Sequence, residues 1–153
     1  MIRRATPDDV EEIVAIFEPS FGTLDFLPTL HTHEEHLAWF ERRLREDEGF
    51  ILGRGFAVLQ DDWLTYLYVH PDAIGTGIGH ALFEHATTLR PDGMQFWVFQ
   101  QNERARRFYE AQGWCPDGAE RIETELTGSP LHEVRYRLPL AVSRLATRTP
   151  EPI

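Results

Sequence analysis

The sequence contains no lysine: all fifteen basic residues are arginine. A phosphate-binding P-loop ends in Gly-Lys-Ser/Thr, so its lysine has no candidate here. Basic residues are also outnumbered, fifteen against twenty-five acidic, which leaves a net charge of −10. Nucleic-acid affinity rests on neutralising phosphates, so no nucleic-acid partner is expected. Cys115 is the only cysteine, which rules out an intrachain disulfide. A cytoplasmic setting follows as the expectation, with Cys115 as a small buried hydrophobe. Long apolar runs are missing too. The longest, residues 13–17, is far too short to span a bilayer, and no apolar signal region opens the chain. No membrane partner is expected.

What is present suits one domain. The chain has 153 residues, 42% hydrophobic and 26% charged, enough for a sizeable core and short for two domains. Its organising stretch is residues 64–82. Leu64-Thr65-Tyr66-Leu67-Tyr68-Val69 is β-branched and aromatic, apolar on both faces, and reads as a strand buried within a sheet. Pro71 and Asp72 stop it. Gly75, Gly77 and Gly79 follow, and then Ala81, Leu82, Phe83, Ala86 and Leu89 give helical spacing. Strand, glycine loop and helix start together make an anion-binding arrangement, with unpaired N–H groups and the positive helix end aimed alike. The dinucleotide fingerprint wants glycine or alanine three residues after its second glycine. Here that count lands on His80 or Leu82, so the fingerprint fails.

The rest reads in order. Residues 1–5 suit a short edge strand, and Thr6-Pro7-Asp8-Asp9 is a helix start with Thr6 as cap. Val10, Ile13, Val14 and Phe17 mark the buried face of that helix, and Pro19 is expected to end it. A loop over residues 20–31 carries Phe21, Phe26 and Pro28. The next helix starts at Thr32, with Glu35 as its capping-box partner and Leu37, Phe40 and Leu44 turned inward. Residues 50–52 and 56–59 read as a hairpin turning at Gly53-Arg54-Gly55, with a second turn at Asp61-Asp62. Residues 95–99 suit a further buried strand. Asn102 caps a helix whose apolar side is Ala105, Phe108 and Tyr109 and which Gly113 terminates. Residues 119–127 and 131–139 look like a last strand pair, turning at Gly128-Ser129-Pro130, and the tail from Ala141 looks loose.

Two of these stretches resemble one family. Gly77 and Gly79 fill the glycine positions of the Gln/Arg-x-x-Gly-x-Gly/Ala loop of the GCN5-related N-acetyltransferases (GNAT), after a hydrophobic strand and Val69-His70-Pro71. Ile74 stands where that family prefers Gln or Arg. Asn102-x-x-Ala105-x-x-x-Tyr109-x-x-x-Gly113-Trp114 matches the family's second motif at every defined position. The resemblance spans about residues 2 to 139. It implies an α/β fold, a central mixed sheet flanked by helices, over residues 1–140, with 141–153 as a flexible tail. It also implies transfer of an acetyl group from acetyl-CoA to a primary amine by direct attack in a ternary complex. A homodimer is open, since relatives often dimerise.

Roles follow from the resemblance. The loop Ile74, Gly75, Thr76, Gly77, Ile78, Gly79 and His80 would hold the pyrophosphate, chiefly by backbone N–H groups. The Leu67, Tyr68 and Val69 main chain would lie along the pantetheine arm and thioester. Asn102 and Arg107 would complete the acetyl-CoA contacts, with Arg104 and Arg106 as further cations near the same helix start. Tyr109 would protonate the departing thiolate. An acetyl acceptor arrives as an ammonium ion, so a carboxylate or histidine must take its proton. Asp62 is the leading candidate, and His31, His33, Glu34 and Glu35 are others. The segment from Phe21 to His36, with Phe21, His31 and His33 as its named contacts, would line the acceptor site. His33 and His36 are three apart, not the four of a zinc-protease helix, so no metal is expected. A non-catalytic acyl-CoA sensor on the same fold is the alternative.

Overall fold

A computed structural model describes residues 1–24, 31–124 and 130–138. Phe26, Pro28, the Gly128-Ser129 turn and the tail from Ala141 lie outside them. The chain forms two compact units, Met1–Arg90 and a second that begins at Pro91.

Among the described residues, the first unit holds a four-stranded antiparallel meander and three α-helices. Strands β1 (Arg3–Ala5), β2 (Glu48–Leu52), β3 (Gly55–Gln60) and β4 (Trp63–Val69) pair in chain order. Thr6 caps a single 3-10 turn, and its capping box with Asp9 leads into α1 (Val10–Phe21). The Thr32–Glu35 capping box opens α2 (His33–Glu46), as its sequence signature predicts. Helix α3 (Ile78–Leu89) follows the glycine loop. The core gathers Ile13, Val14 and Phe17 of α1, Phe40 and Leu44 of α2, and Phe56 and Val58 of β3.

In the second unit β5 (Gln95–Phe99) and β6 (Cys115–Glu123) flank β7 (Leu131–Arg137), both antiparallel to it. Helix α4 (Glu103–Ala111) is capped by Asn102, whose Oδ1 accepts from the Ala105 N–H at 3.2 Å. Gly113 ends it in the left-handed region, φ +88°. Strands and helices are thus combined in an α/β fold, as the sequence predicts.

Four expectations are corrected. Pro19 does not end α1, which runs through it to Phe21. Proline forfeits one helical hydrogen bond, but Ser20 and Phe21 gain packing: Phe21 stacks on Phe17 at 5.0 Å, and the Ser20 hydroxyl lies 2.7 Å from Ile16 O and 2.8 Å from Val69 O. Strand β4 is not buried on both faces, since only Leu64 is buried, Thr65 is exposed and the other residues are half-buried. Cys115 is exposed, because β6 is an outer strand of its unit. That strand also starts at Cys115 rather than near 119, its pairing with β7 broken by a register shift between Pro116 and Glu120.

Candidate functional site

The glycine loop depends on backbone that only glycine adopts easily. Gly75 and Gly77 both have φ +88°, while Gly79 lies inside α3 with ordinary helical backbone. A Cβ on either left-handed glycine would meet no atom within 4 Å. The loop surface is therefore open, and the requirement there is conformational rather than one of crowding. The first backbone bond of α3 is donated by Ala81 to Gly77 O at 3.0 Å. Ile78 and Gly79 precede that ladder, so their amides project from the positive helix end. The Thr76 hydroxyl is turned inward, donating to Ala73 O at 2.6 Å. Exposed Ile74 offers no charge, and His80 pairs with Glu84 at 3.5 Å. A pyrophosphate fits this cradle through backbone amides.

One glycine that sequence reasoning treated as a turn residue also positions this loop. A Cβ on Gly55 would lie 2.5 Å from Ile78 Cγ2 and 3.1 Å from Leu82 Cδ1. Bare backbone on β3 is therefore what lets the first turn of α3 seat where it does. The contact of Gly55 with a helix 23 positions later leaves no local signal in the sequence.

Beside β4, α1 and the start of α2 meet around one carboxylate. Glu18 Oε2 lies 2.7 Å from His36 Nδ1 and 2.9 Å from His33 Nδ1. His36 closes the acceptor segment expected from the sequence, whereas Glu18 was not among the predicted site residues, because no local motif marks it and its partners lie 15 and 18 residues away. Burial pushes the Glu18 carboxyl up, but hydrogen bonds from His36 and His33 outweigh it and hold it below its usual range. The hydrogen bond to Glu18 raises His33 above its usual range. A lowered acid stabilises the fold above its ordinary 4.5 and loses this as pH falls through the folded value. A raised histidine stabilises below its ordinary 6.5 and loses this as pH rises through the folded value. The tie between α1 and α2 is therefore strongest between those two pH values. Thermal melts of Glu18→Gln against wild type should differ most in that window and converge on either side. A pH-independent difference would contradict the tie.

The other predicted residues are placed as follows. Phe21 is the half-buried last residue of α1. His31 Nδ1 is 3.5 Å from Glu35, whose carboxylate also accepts from the Thr32 N–H at 2.8 Å in the capping box. Asp62 is exposed in the turn before β4, at the opposite end of that strand from the glycine loop. Leu67, Tyr68 and Val69 form the loop-proximal end of β4, in register with Ala57, Phe56 and Gly55.

In the second unit, Tyr109 is buried at 8% exposure, its ring 4.3 Å from Phe96 and 5.9 Å from Tyr136. Burial, reinforced by the neighbouring Tyr136, pushes its phenol far above the ordinary value of 10. It therefore stays protonated across the whole working range. Arg106 is anchored, donating to Tyr136 Oη at 3.0 Å and to Gln100 O at 3.2 Å. Arg107 is exposed beside Glu103 at 3.6 Å. Among the described residues no group of three or more His, Cys, Asp or Glu side chains could hold a metal ion. No helix among them is long and apolar enough to cross a membrane.

Comparison with known proteins agrees with this geometry. The sequence profile of the Acetyltransferase (GNAT) domain matches residues 34–116. The peptidyl-lysine N-acetyltransferase YjaB of Salmonella typhimurium is 33% identical over 140 residues, covering 84% of this chain and 91% of the relative. Its Escherichia coli counterpart is 30% identical over 146 residues, covering 88% and 95%. The solution structure of apo YjaB from Escherichia coli superposes with a TM-score of 0.72 at 27% identity, over 90% of this chain and 96% of that one. An acetyltransferase structure from Salmonella typhimurium with acetyl-CoA, yncA, shares the fold at a TM-score of 0.65 and 21% identity, over 90% and 92%. The left-handed glycine loop, the helix it opens and these matches together lead to one assignment: the chain belongs to the GNAT family of N-acetyltransferases, acyl-CoA-dependent enzymes whose acetyl donor is acetyl-CoA.

Proposed function

We propose that this enzyme transfers the acetyl group of acetyl-CoA to the primary amine of a lysine side chain, by direct attack of the amine within a ternary complex. The observation that carries this reading is the open cradle formed by Gly75, Gly77 and the first amides of α3. The YjaB relatives, named for acetylation of peptidyl lysine, support the acceptor class. An acidic chain, −10 overall, also suits a cationic acceptor.

Acetyl-CoA supplies an acetyl thioester already activated toward amines. The residues of this chain supply position and proton handling. The loop amides of residues 74–80 hold the pyrophosphate, and the main chain of Leu67, Tyr68 and Val69 orients the thioester. Asn102 and Arg107 assist at the start of α4. Tyr109, a phenol kept neutral by burial, donates a proton to the departing sulfur. Phe21, His31 and His33 border the acceptor. Holding amine and thioester together makes a bimolecular reaction effectively unimolecular, and that accounts for much of the acceleration.

Thermal unfolding tests the reading directly. Acetyl-CoA at a hundred times its dissociation constant should add about 2.7 kcal/mol of stability. NADH and ATP at equal concentration should add nothing comparable. A larger rise with either nucleotide would mean that the loop serves another anion. A blocked peptide bearing one lysine should then release thiol from acetyl-CoA, and failure to do so alongside a small polyamine that succeeds would move the acceptor class.

A further inference from the structure

We propose that Glu18 and His36 form the proton-accepting pair of the acetyl transfer, with Glu18 holding the imidazole by Nδ1 and Nε2 taking the proton of the acceptor ammonium. This rests on the acetyl-transfer reading above and deepens it by naming the base.

A carboxylate can only accept hydrogen bonds, so the contact of 2.7 Å requires that Nδ1 of His36 carry the proton. In the neutral ring the lone pair is then on Nε2, the form that can act as a base. Among the described residues His36 Nε2 has no hydrogen-bond partner. Orientation separates His36 from its neighbour. The His36 side chain is 19% exposed and packs edge-on to Phe17, with centroids 5.3 Å apart and planes at 78°. His33, on the same carboxylate, is 56% exposed. The held ring suits a base, and the exposed one suits an electrostatic neighbour that varies with solvent.

Position favours the same pair. Phe17 is a shared neighbour, also lying edge-on to Tyr68 on β4 at 5.2 Å. Ser20, two residues beyond Glu18, reaches the Val69 carbonyl at 2.8 Å. The pair thus adjoins the loop-proximal end of β4, whereas Asp62 lies at its far end. The charged groups around it are Glu11 and Glu18 from α1, and His33, Glu34 and the His31–Glu35 pair at the start of α2. β4 contributes only the aromatic rings of Tyr66 and Tyr68. An acidic surround favours both a cationic acceptor and the imidazolium that forms.

The step balances as follows. The acceptor ammonium gives one proton to His36 Nε2, and the freed nitrogen lone pair forms the C–N bond to the acetyl carbon. The C–S bond breaks with its electron pair on sulfur. A second nitrogen proton replaces the one sulfur receives from Tyr109, which leaves amide and free thiol. His36 then returns its proton to solvent.

The test follows thiol release by the full chain, with acetyl-CoA and an N-terminally blocked lysine peptide, as a function of pH. His36→Gln should lower kcat on the order of a hundredfold near neutrality. KM for acetyl-CoA should not change. That defect should close as pH approaches the amine's own pKa of about 10.4, where the acceptor arrives neutral. Glu18→Gln should lower kcat by a smaller factor over the same pH range, because the ring loses the carboxylate that holds its Nδ1–H, and KM for acetyl-CoA should again stay unchanged. An acetyl-CoA-induced rise in Tm confirms that each variant is folded. A loss equal at every pH would overturn the proposal in favour of a structural role, as would unchanged turnover in both variants. In that last case wild-type acetyl-CoA binding and turnover would leave the transfer reading standing. A wild type that neither binds acetyl-CoA nor releases thiol would overturn both.

Discussion

Tyr109→Phe should lower kcat on the order of a hundredfold, about 2.7 kcal/mol of transition-state stabilisation, while leaving acetyl-CoA affinity within twofold of wild type. The substitution keeps the aromatic body that packs against Phe96 and removes only the hydroxyl. A thiolate leaving a tetrahedral centre needs a proton or a strong hydrogen bond, and a phenol can provide either. Burial raises the Tyr109 phenol, which limits its strength as an acid but guarantees that its proton is present at every working pH. The wild-type rate profile should therefore show no basic limb from Tyr109 below its ordinary value of 10. Isothermal titration of acetyl-CoA into the variant, beside steady-state thiol release, separates binding from chemistry. Unchanged turnover would remove Tyr109 from the mechanism.

Gly55→Ala is the second large effect expected, and it acts at a distance from any reacting atom. The new Cβ would stand 2.5 Å from Ile78 Cγ2, 3.1 Å from Leu82 Cδ1 and 3.3 Å from Tyr68 O. Ile78 is β-branched and stiff, so its methyl cannot simply swing aside. The start of α3 must move away from β3 instead. Overpacking of this kind costs about 1–3 kcal/mol of stability. Because Ile78 and Gly79 carry the loop amides, acetyl-CoA affinity should fall as well, by roughly tenfold for each 1.4 kcal/mol of lost contact. Tm in the absence of ligand and the acetyl-CoA dissociation constant measure the two losses separately. A lowered Tm with unchanged affinity would show that the amides do not depend on the seat of α3.

The two glycine substitutions most easily imagined from the sequence, at Gly75 and Gly77, would act differently. There a side chain would meet open space, and its cost would come from forcing an L-residue into left-handed backbone. At Gly55 the backbone tolerates alanine and the neighbouring helix does not.

The parts of this protein that the sequence by itself determined are local. Thr6 with Asp9, Thr32 with Glu35, and Asn102 with Ala105 each close a cap within three residues, so composition and spacing are sufficient to find them. The hairpin at Gly53, the glycine loop and the Asn102–Trp114 motif are likewise short stretches whose geometry follows from residue type. Family membership was legible there for the same reason.

What only the tertiary structure decided involves residues far apart in the chain. Pro19 lies inside α1 because the Ser20 hydroxyl finds a carbonyl 49 residues away, which offsets a local penalty that spacing alone had read as a stop. Strand β4 looked buried because its residues are apolar on both faces, yet apolar composition does not say whether another layer covers it. Cys115 is exposed because its strand is an outer one, a fact of pairing order rather than of residue type. Glu18 meets His33 and His36 across 15 and 18 residues, and no periodicity within either helix announces that meeting. Local propensities act through bonds and turns that neighbouring residues supply. The seat of α3 on Gly55 and the convergence on Glu18 depend instead on which surfaces come together once those elements pack, and packing is settled between elements.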